Sequence, residues 1–176
     1  MQIRVAVQDA RSAHRGPARS SLPYLWLSAL IVALDQLTKA WVAARLAEFQ
    51  AVTVLPVLQI TRVYNRGAAF SFLAQAAGWQ RWAFAALAIV VSVALISWLR
   101  KTDRREVLLA CATALVLGGA LGNLVDRLRL GDVTDFVAVH WGPHYFPTFN
   151  LADSAITVGV ILWLLDASLE ARHKAR

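Results

Sequence analysis

Cysteine is almost absent. The 176 residues contain one, Cys111, so no disulfide can close within the chain and no zinc centre can be assembled from thiolates. Lying within an apolar run, its side chain reads as a small buried hydrophobe. Charge is scarce as well: 16% of residues are Asp, Glu, Lys or Arg, against about 25% in ordinary soluble domains. Only 11 are acidic, against 18 Lys and Arg, for a formal net charge of +7. The chain also lacks a P-loop, a dinucleotide-binding glycine fingerprint, a GxSxG element and any internal repeat. Nucleotide-driven and serine-nucleophile chemistry therefore have no foothold.

What the sequence does have is apolar length. Hydrophobic residues make up 58% of the chain and mean hydropathy is +0.51, which excludes a disordered chain and argues against a soluble globule. Segments 22–43, 79–99, 107–124 and 151–169 each approach the roughly 20 residues that a hydrocarbon core about 30 Å thick requires of a helix. Arg4, Arg11, Arg15 and Arg19 precede the first. Arg100, Lys101, Arg104 and Arg105 separate the second from the third, and Arg172, Lys174 and Arg176 follow the fourth. By the positive-inside rule both termini and the middle loop are cytoplasmic, and connections 44–78 and 125–150 face outward. Topology thus accounts for the basic residues, which form no continuous basic face, and no nucleic-acid partner is expected. The polar, arginine-bearing start reads as a tail before an uncleaved span, because the apolar run behind it is interrupted by Asp35 and Lys39.

The outward connections differ. Residues 52–55 and 58–64 are β-branched and apolar, parted by Pro56, and predict a small sheet resting on the membrane surface. Connection 125–150 carries Gly131, Gly142, Pro143 and Pro147, and is expected to be irregular, with at most short extended pieces. The expected fold class is an all-α membrane protein: four transmembrane helices and a small extracytoplasmic β-sheet. Three parts are expected, a polar extension at 1–21, a membrane domain at 22–169 and a basic tail at 170–176.

Ionisable groups within membrane helices are costly and mark function by default. Asp35 and Lys39 stand four apart on the first helix, acid before base. The third segment leads outward to Asn123, Asp126 and Arg127, then Asp132 and Asp135, while Asn150 and Asp153 open the fourth. Topology gathers them on one rim. Plain structural roles exist for most: a packed pair for Asp35 and Lys39, a helix end for Asp126 and Arg127, and an N-cap turn for Asn150 and Asp153. Gly118 and Gly122 suit close helix packing. Asp135, between Thr134 and Phe136, has no such role. With Asp153 it suggests an aspartic dyad, in which one carboxyl keeps a proton and polarises a carbonyl while the other activates water. Asp126 with Asp153 is nearly as good a pair, and spacing does not choose. A metal site of His140 and His144 with these carboxylates is weaker, because Gly142 and Pro143 preclude a helical His pair.

The blocks Asp35, Gln36, Thr38, Lys39; Asn65, Gly67, Ala68, Ala69, Phe70; Gly119, Gly122, Asn123, Asp126, Arg127, Gly131, Val133, Asp135, Phe136; and Phe149, Asn150, Ala152, Asp153, Ser154 closely resemble the bacterial lipoprotein signal peptidases, signal peptidase II. The resemblance implies an aspartic endopeptidase of the cytoplasmic membrane, needing no cofactor, that cuts prolipoproteins before a diacylglyceryl-modified cysteine. It implies four helices with a β-sheet cradle, membrane lipids around them, and inhibition by the cyclic peptide globomycin. It makes Asp135 and Asp153 the catalytic pair, with Asp35, Lys39, Asn65, Gly67, Asn123, Asp126, Arg127 and Asn150 lining or bracing the site. The rival is a small transporter or proton-relay subunit, which would spread its carboxylates through the membrane's depth.

Overall fold

Within lipid a spanning segment must satisfy its own backbone groups, and the four apolar runs do so as helices. The structure is a computed structural model and describes residues 19–65 and 78–174. A single 3-10 turn, Leu22–Tyr24, leads into α1 (Leu25–Arg45); α2 is Trp79–Lys101, α3 is Val107–Arg129 and α4 is Leu151–Lys174. All four are long and apolar enough to cross a membrane, so the chain is a multi-pass membrane protein.

Helix α3 is central, packing against each of the other three. Its sequence explains why. Lipid gives apolar faces no reason to leave it, so close approach of backbones must supply the attraction, and α3 buries Ala110, Ala112, Ala114, Gly118, Gly119 and Gly122. A Cβ on Gly118 would stand 2.8 Å from that of Ile31 on α1, and one on Gly119 would collide with the Ala152 carbonyl oxygen on α4. The helix also runs five residues beyond its apolar segment, because Asn123, Asp126 and Arg127 find polar partners inside the protein.

The sheet has four strands in the order β1-β2-β3-β4: Ala51–Leu55, Leu58–Asn65, Val133–Trp141 and His144–Tyr145. Neighbours are antiparallel. The first hairpin is as expected. The second connection is not irregular: it holds the sheet's longest strand, whose alternating Val133, Asp135, Val137 and Val139 outweigh the glycines and prolines around it. Arg62 of β2 donates to the Ala43 and Leu46 carbonyls at the end of α1, at 3.2 and 3.0 Å, and so ties sheet to helix.

At the opposite end of the bundle Ser21 N donates to Leu99 O and Thr102 O, both at 3.1 Å, and Arg104 N donates to Arg19 O. Arg19, Arg104 and Arg105 thereby share one end, away from the sheet. Residues 1–18, with Arg4, Arg11 and Arg15, lie outside the described residues.

Candidate active site

The first turn of α4 is held by a reciprocal cap. Asn150 Oδ1 accepts from Asp153 N at 2.9 Å, while Asp153 Oδ2 accepts from Asn150 N at 3.2 Å, so residues at N-cap and N3 satisfy each other's backbone. This leaves the Asn150 amide group free to reach elsewhere. Its Nδ2 donates to Asp135 Oδ1 at 2.8 Å and to Asn123 Oδ1 at 3.1 Å. Asn123 Nδ2 in turn donates to Asp153 Oδ1 at 2.7 Å. Asn150 thus bonds both Asp135 and Asp153, and Asn123 braces Asp153 from α3.

Asp135 arrives from the sheet. Val63 pairs with Asp135 and Asn65 with Val133, which sets Asn65 diagonally beside Asp135 on one sheet face; its Nδ2 donates to Asp135 Oδ2 at 3.0 Å. The Asp135 carboxyl is buried, at 1% exposure, whereas Asp153 is half-buried. Loss of solvent pushes the Asp135 carboxyl up to about 7, and the negative charge of Asp153 adds to that rise. The hydrogen bonds from Asn65 and Asn150 and the charge of Lys39 oppose it. Near neutral pH the group therefore holds its proton part of the time.

Beneath the pair lies a buried cation. Lys39 Nζ meets Asp35 Oδ2 at 2.8 Å and Asp126 Oδ2 at 2.9 Å, and donates to Asn123 Oδ1 at 3.1 Å. Asp35 Oδ1 accepts from Ala152 N at 3.0 Å, and Asp126 Oδ2 accepts from Thr134 N at 3.0 Å. Asp126 consequently faces Lys39 and the start of β3, and Asp135 is the carboxylate that shares Asn150 with Asp153. The two carboxylates are joined through Asn150, by its side-chain amide to Asp135 and its backbone N–H to Asp153, and with one buried and one half-buried the arrangement suits a pair in which one carboxyl holds a proton while the other activates water.

The family described as Signal peptidase (SPase) II matches 27–169. The chain belongs to the signal peptidase II family. It is 57% identical to the lipoprotein signal peptidase of Pseudomonas aeruginosa strain UCBPP-PA14 over 147 residues, covering 82% of this chain and 87% of that one. With the Pseudomonas putida lipoprotein signal peptidase it shares 55% over 147 residues, covering 82% and 86%. A bacterial membrane enzyme solved by the in meso method superposes with a TM-score of 0.78 at 29% identity, covering 92% of this chain and 97% of that one.

Nine of the residues expected at a signal peptidase II site from sequence meet here: Asp35, Lys39, Asn65, Asn123, Asp126, Arg127, Asn150, Asp135 and Asp153. Gly67, with Ala68, Ala69 and Phe70, lies outside the described residues. His140 does not join them; it stacks on Tyr145, ring centroids 4.9 Å apart, and His144 is exposed. Among the described residues no three His, Cys, Asp or Glu side chains gather as a metal site. Arg127 bonds the Asn123 carbonyl at 3.2 Å and interacts electrostatically with Asp153, Asp126 and Asp135. Its guanidinium lies 5.2 Å from the ring centre of Phe84 on α2, while Arg81 one turn earlier donates to Leu128 O at 2.8 Å. Sequence reading missed that support. It also gave no role to Gln36, which donates to Asp126 Oδ1 at 2.8 Å; its place one residue after Asp35 was the available signal.

Removing the cation should cost more than any other single change beneath the pair. Lys39→Met leaves Asp35 and Asp126 buried without a counter-charge, which destabilises by about 3–5 kcal/mol. Thermal unfolding in detergent should show a large drop, partly recovered when Asp35→Asn and Asp126→Asn are added. An unchanged midpoint for Lys39→Met alone would remove Lys39 as the charge that balances the two carboxylates.

Proposed function

We propose that this protein is an aspartic endopeptidase that removes signal peptides from prolipoproteins, cutting before a diacylglyceryl-modified cysteine. The family supports signal-peptide removal. The observation that carries the aspartic reading is the shared Asn150, with its bonds to Asp135 and Asp153. Asp135, the buried member, keeps the proton and polarises the scissile carbonyl; half-buried Asp153, as carboxylate, takes a proton from the attacking water. Asn123 holds Asp153 through its Nδ2, Arg127 adds a favourable positive charge nearby, and Asn65 orients Asp135.

The orientation follows the basic flanks: both termini and the α2–α3 loop in the cytoplasm, with the sheet and the aspartates at the outer face of the cytoplasmic membrane. A substrate whose signal helix ends at a lipidated cysteine then presents its scissile bond at this depth. The transporter reading is disfavoured by the clustering of Asp35, Asp126, Asp135 and Asp153 at one end of the bundle. Three functional parts follow from the same reading: an extension at 1–21, the peptidase domain at 22–169 and a basic end at 170–176, of which α4 takes up residues as far as Lys174.

The test is cleavage of a lipidated precursor by the purified protein across pH, with and without chelator. Asp135 must be protonated to act as the acid, so kcat/KM should fall as pH rises through about 7. The charged groups facing it are Asp153, Lys39 and Arg127, so the limb belongs to the pair as a unit. Activity should survive exhaustive chelation, and a globomycin-type cyclic peptide should block it. Loss on chelation with recovery on adding zinc, or a rate that keeps climbing well above pH 8, would sink the aspartic mechanism.

A further inference from the structure

Helices α2 and α4 both pack on α3, and their backbones do not approach each other. The gap between them is closed at one level, where the rings of Trp98 on α2 and Trp163 on α4 stack with centroids 5.6 Å apart. Trp163 is pinned from behind: its Nε1 donates to Thr113 Oγ1 on α3 at 3.1 Å, and Thr113 Oγ1 donates in turn to Leu109 O at 2.7 Å. Leu99, beside Trp98, accepts from Ser21 N, so the stack lies at the arginine-bearing end of the bundle.

The faces that border the gap lead from this stack to the aspartates. On α4, Asp153, Ile156, Val160 and Trp163 recur at helical spacing, and on α2 so do Phe84, Val91 and Trp98, which puts each set on one stripe. At the sheet end Arg127, which interacts with Asp153, lies over Phe84. Between Asp153 and the stack the α4 stripe is apolar, and it covers about 15 Å at helical rise.

One turn beyond the stack stands Asp166. It is half-buried, and among the described residues its carboxylate has neither an ion pair nor a side-chain hydrogen bond, although Arg100, Lys101, Arg104 and Arg105 stand at the same end. An unpaired carboxylate within a membrane-crossing helix is costly and marks a place where a cation belongs.

Resting on the reading of this protein as a peptidase of prolipoproteins, we propose that Trp98 and Trp163 floor a groove for the signal helix and that Asp166 receives the cationic start of that helix, so the groove selects precursors by length and charge. A signal helix runs from the cytoplasm outward to the cut, opposite to α2 and α4, and its start is basic. Helices side by side share one rise, so their residues match level for level. With the scissile bond beside Asp153, the substrate helix passes Trp163 about ten residues before the cut and Asp166 about thirteen before it. An apolar stretch of that length fills the groove, and the Lys or Arg behind it meets Asp166. A longer stretch must tilt outward over the stacked rings.

The test exchanges charge between protein and substrate. Diacylglyceryl-modified precursors carry Lys, Gln or Glu thirteen residues before the cut, and both affinity and cleavage are measured in the same micelles. Affinity is read in an Asp135→Asn background, where it does not depend on turnover. Asp166→Asn should weaken binding of the Lys precursor about fivefold, the scale of a partly exposed ion pair, with the loss in KM and not in kcat, and should weaken the Gln precursor less than about twofold. Asp166→Lys should bind the Glu precursor within about twofold of the parent with Lys, a repair that no purely structural carboxylate would allow. For length, a Gln precursor with four extra apolar residues should lose about tenfold in kcat/KM with the parent, as an overfilled site does. Trp98→Ala removes a ring that is 48% exposed and should narrow that loss to about twofold. Equal effects of Asp166→Asn on the Lys and Gln precursors, or length selection untouched by Trp98→Ala, would overturn the inference. Charge coupling in binding without cleavage of any precursor would uphold the groove and overturn the peptidase reading instead.

Discussion

Asp135→Asn and Asp153→Asn are each expected to lower turnover on a lipidated precursor by about a thousandfold or more, within the range of a lost acid–base partner, while the protein still folds. The two variants fail for different reasons. Asn at 135 can still accept from one neighbour, but it has no acidic proton to lend the scissile carbonyl. Asn at 153 cannot accept at both oxygens, so one bond, from Asn150 N or Asn123 Nδ2, is lost at a cost of about 1 kcal/mol. That cost is too small to remove the fold, and loss of the base accounts for the rest.

Stability separates chemistry from misfolding. The folded Asp135 carboxyl binds its proton up to about 7, against 3.8 for the ordinary group, so the folded state holds more protons than the unfolded chain between those values. Stability is then lost as pH rises through that window. Asp135→Asn has nothing to titrate there and should be more heat-stable than the parent at pH 8, with the difference vanishing below pH 4. Asp126→Asn should instead destabilise the fold. Asp126 accepts from Lys39, Gln36 and Thr134 N, and an amide must turn its NH₂ toward one of these donors, so folded yield falls first. A stable, inactive Asp126→Asn beside an active Asp135→Asn would exchange the two assignments.

The elements the sequence disclosed were those set by bulk physics. Helices α1 to α4 follow from apolar length alone, and β1 with β2 from β-branched runs around Pro56. Hydropathy ended α3 near Leu124, because it counts Asn123, Asp126 and Arg127 as costs; in the protein they are solvated by Lys39, Asn150 and one another. Strand β3 was hidden by the glycine and proline signals flanking it, although alternation at 133, 135, 137 and 139 was there to read. At the site, the residue types and their gathering on one rim were legible, but the choice between Asp126 and Asp135 was not. The proposed choice rests on which carboxylate Asn150 reaches, and that depends on β3 pairing with β2, a contact between residues about 70 positions apart. The support of Arg127 by Phe84 was invisible for the same reason, since it rests on how α2 packs on α3.

The lipid on the substrate is the other source of a large effect. Burying acyl chains is worth roughly 0.8 kcal/mol per CH₂, but a precursor already in the bilayer has gained that before it meets the enzyme, so the chains add little further affinity. What remains is position. A cysteine tied to the membrane by two chains holds the scissile bond at one depth, and the aspartates are themselves held at one depth by α4 and the sheet. A misplacement of about 1 Å can cost about a hundredfold in rate, and an untethered cysteine is free to wander by more than that. A membrane-inserted precursor with an unmodified cysteine should therefore be cut about a hundredfold more slowly than its diacylglyceryl counterpart in the same vesicles. The deficit should lie mainly in kcat, because the signal helix still binds. Equal rates for the two would take lipid recognition out of the mechanism and leave a general membrane-surface peptidase, and a deficit confined to KM would make the lipid a handle for capture with no part in aligning the bond.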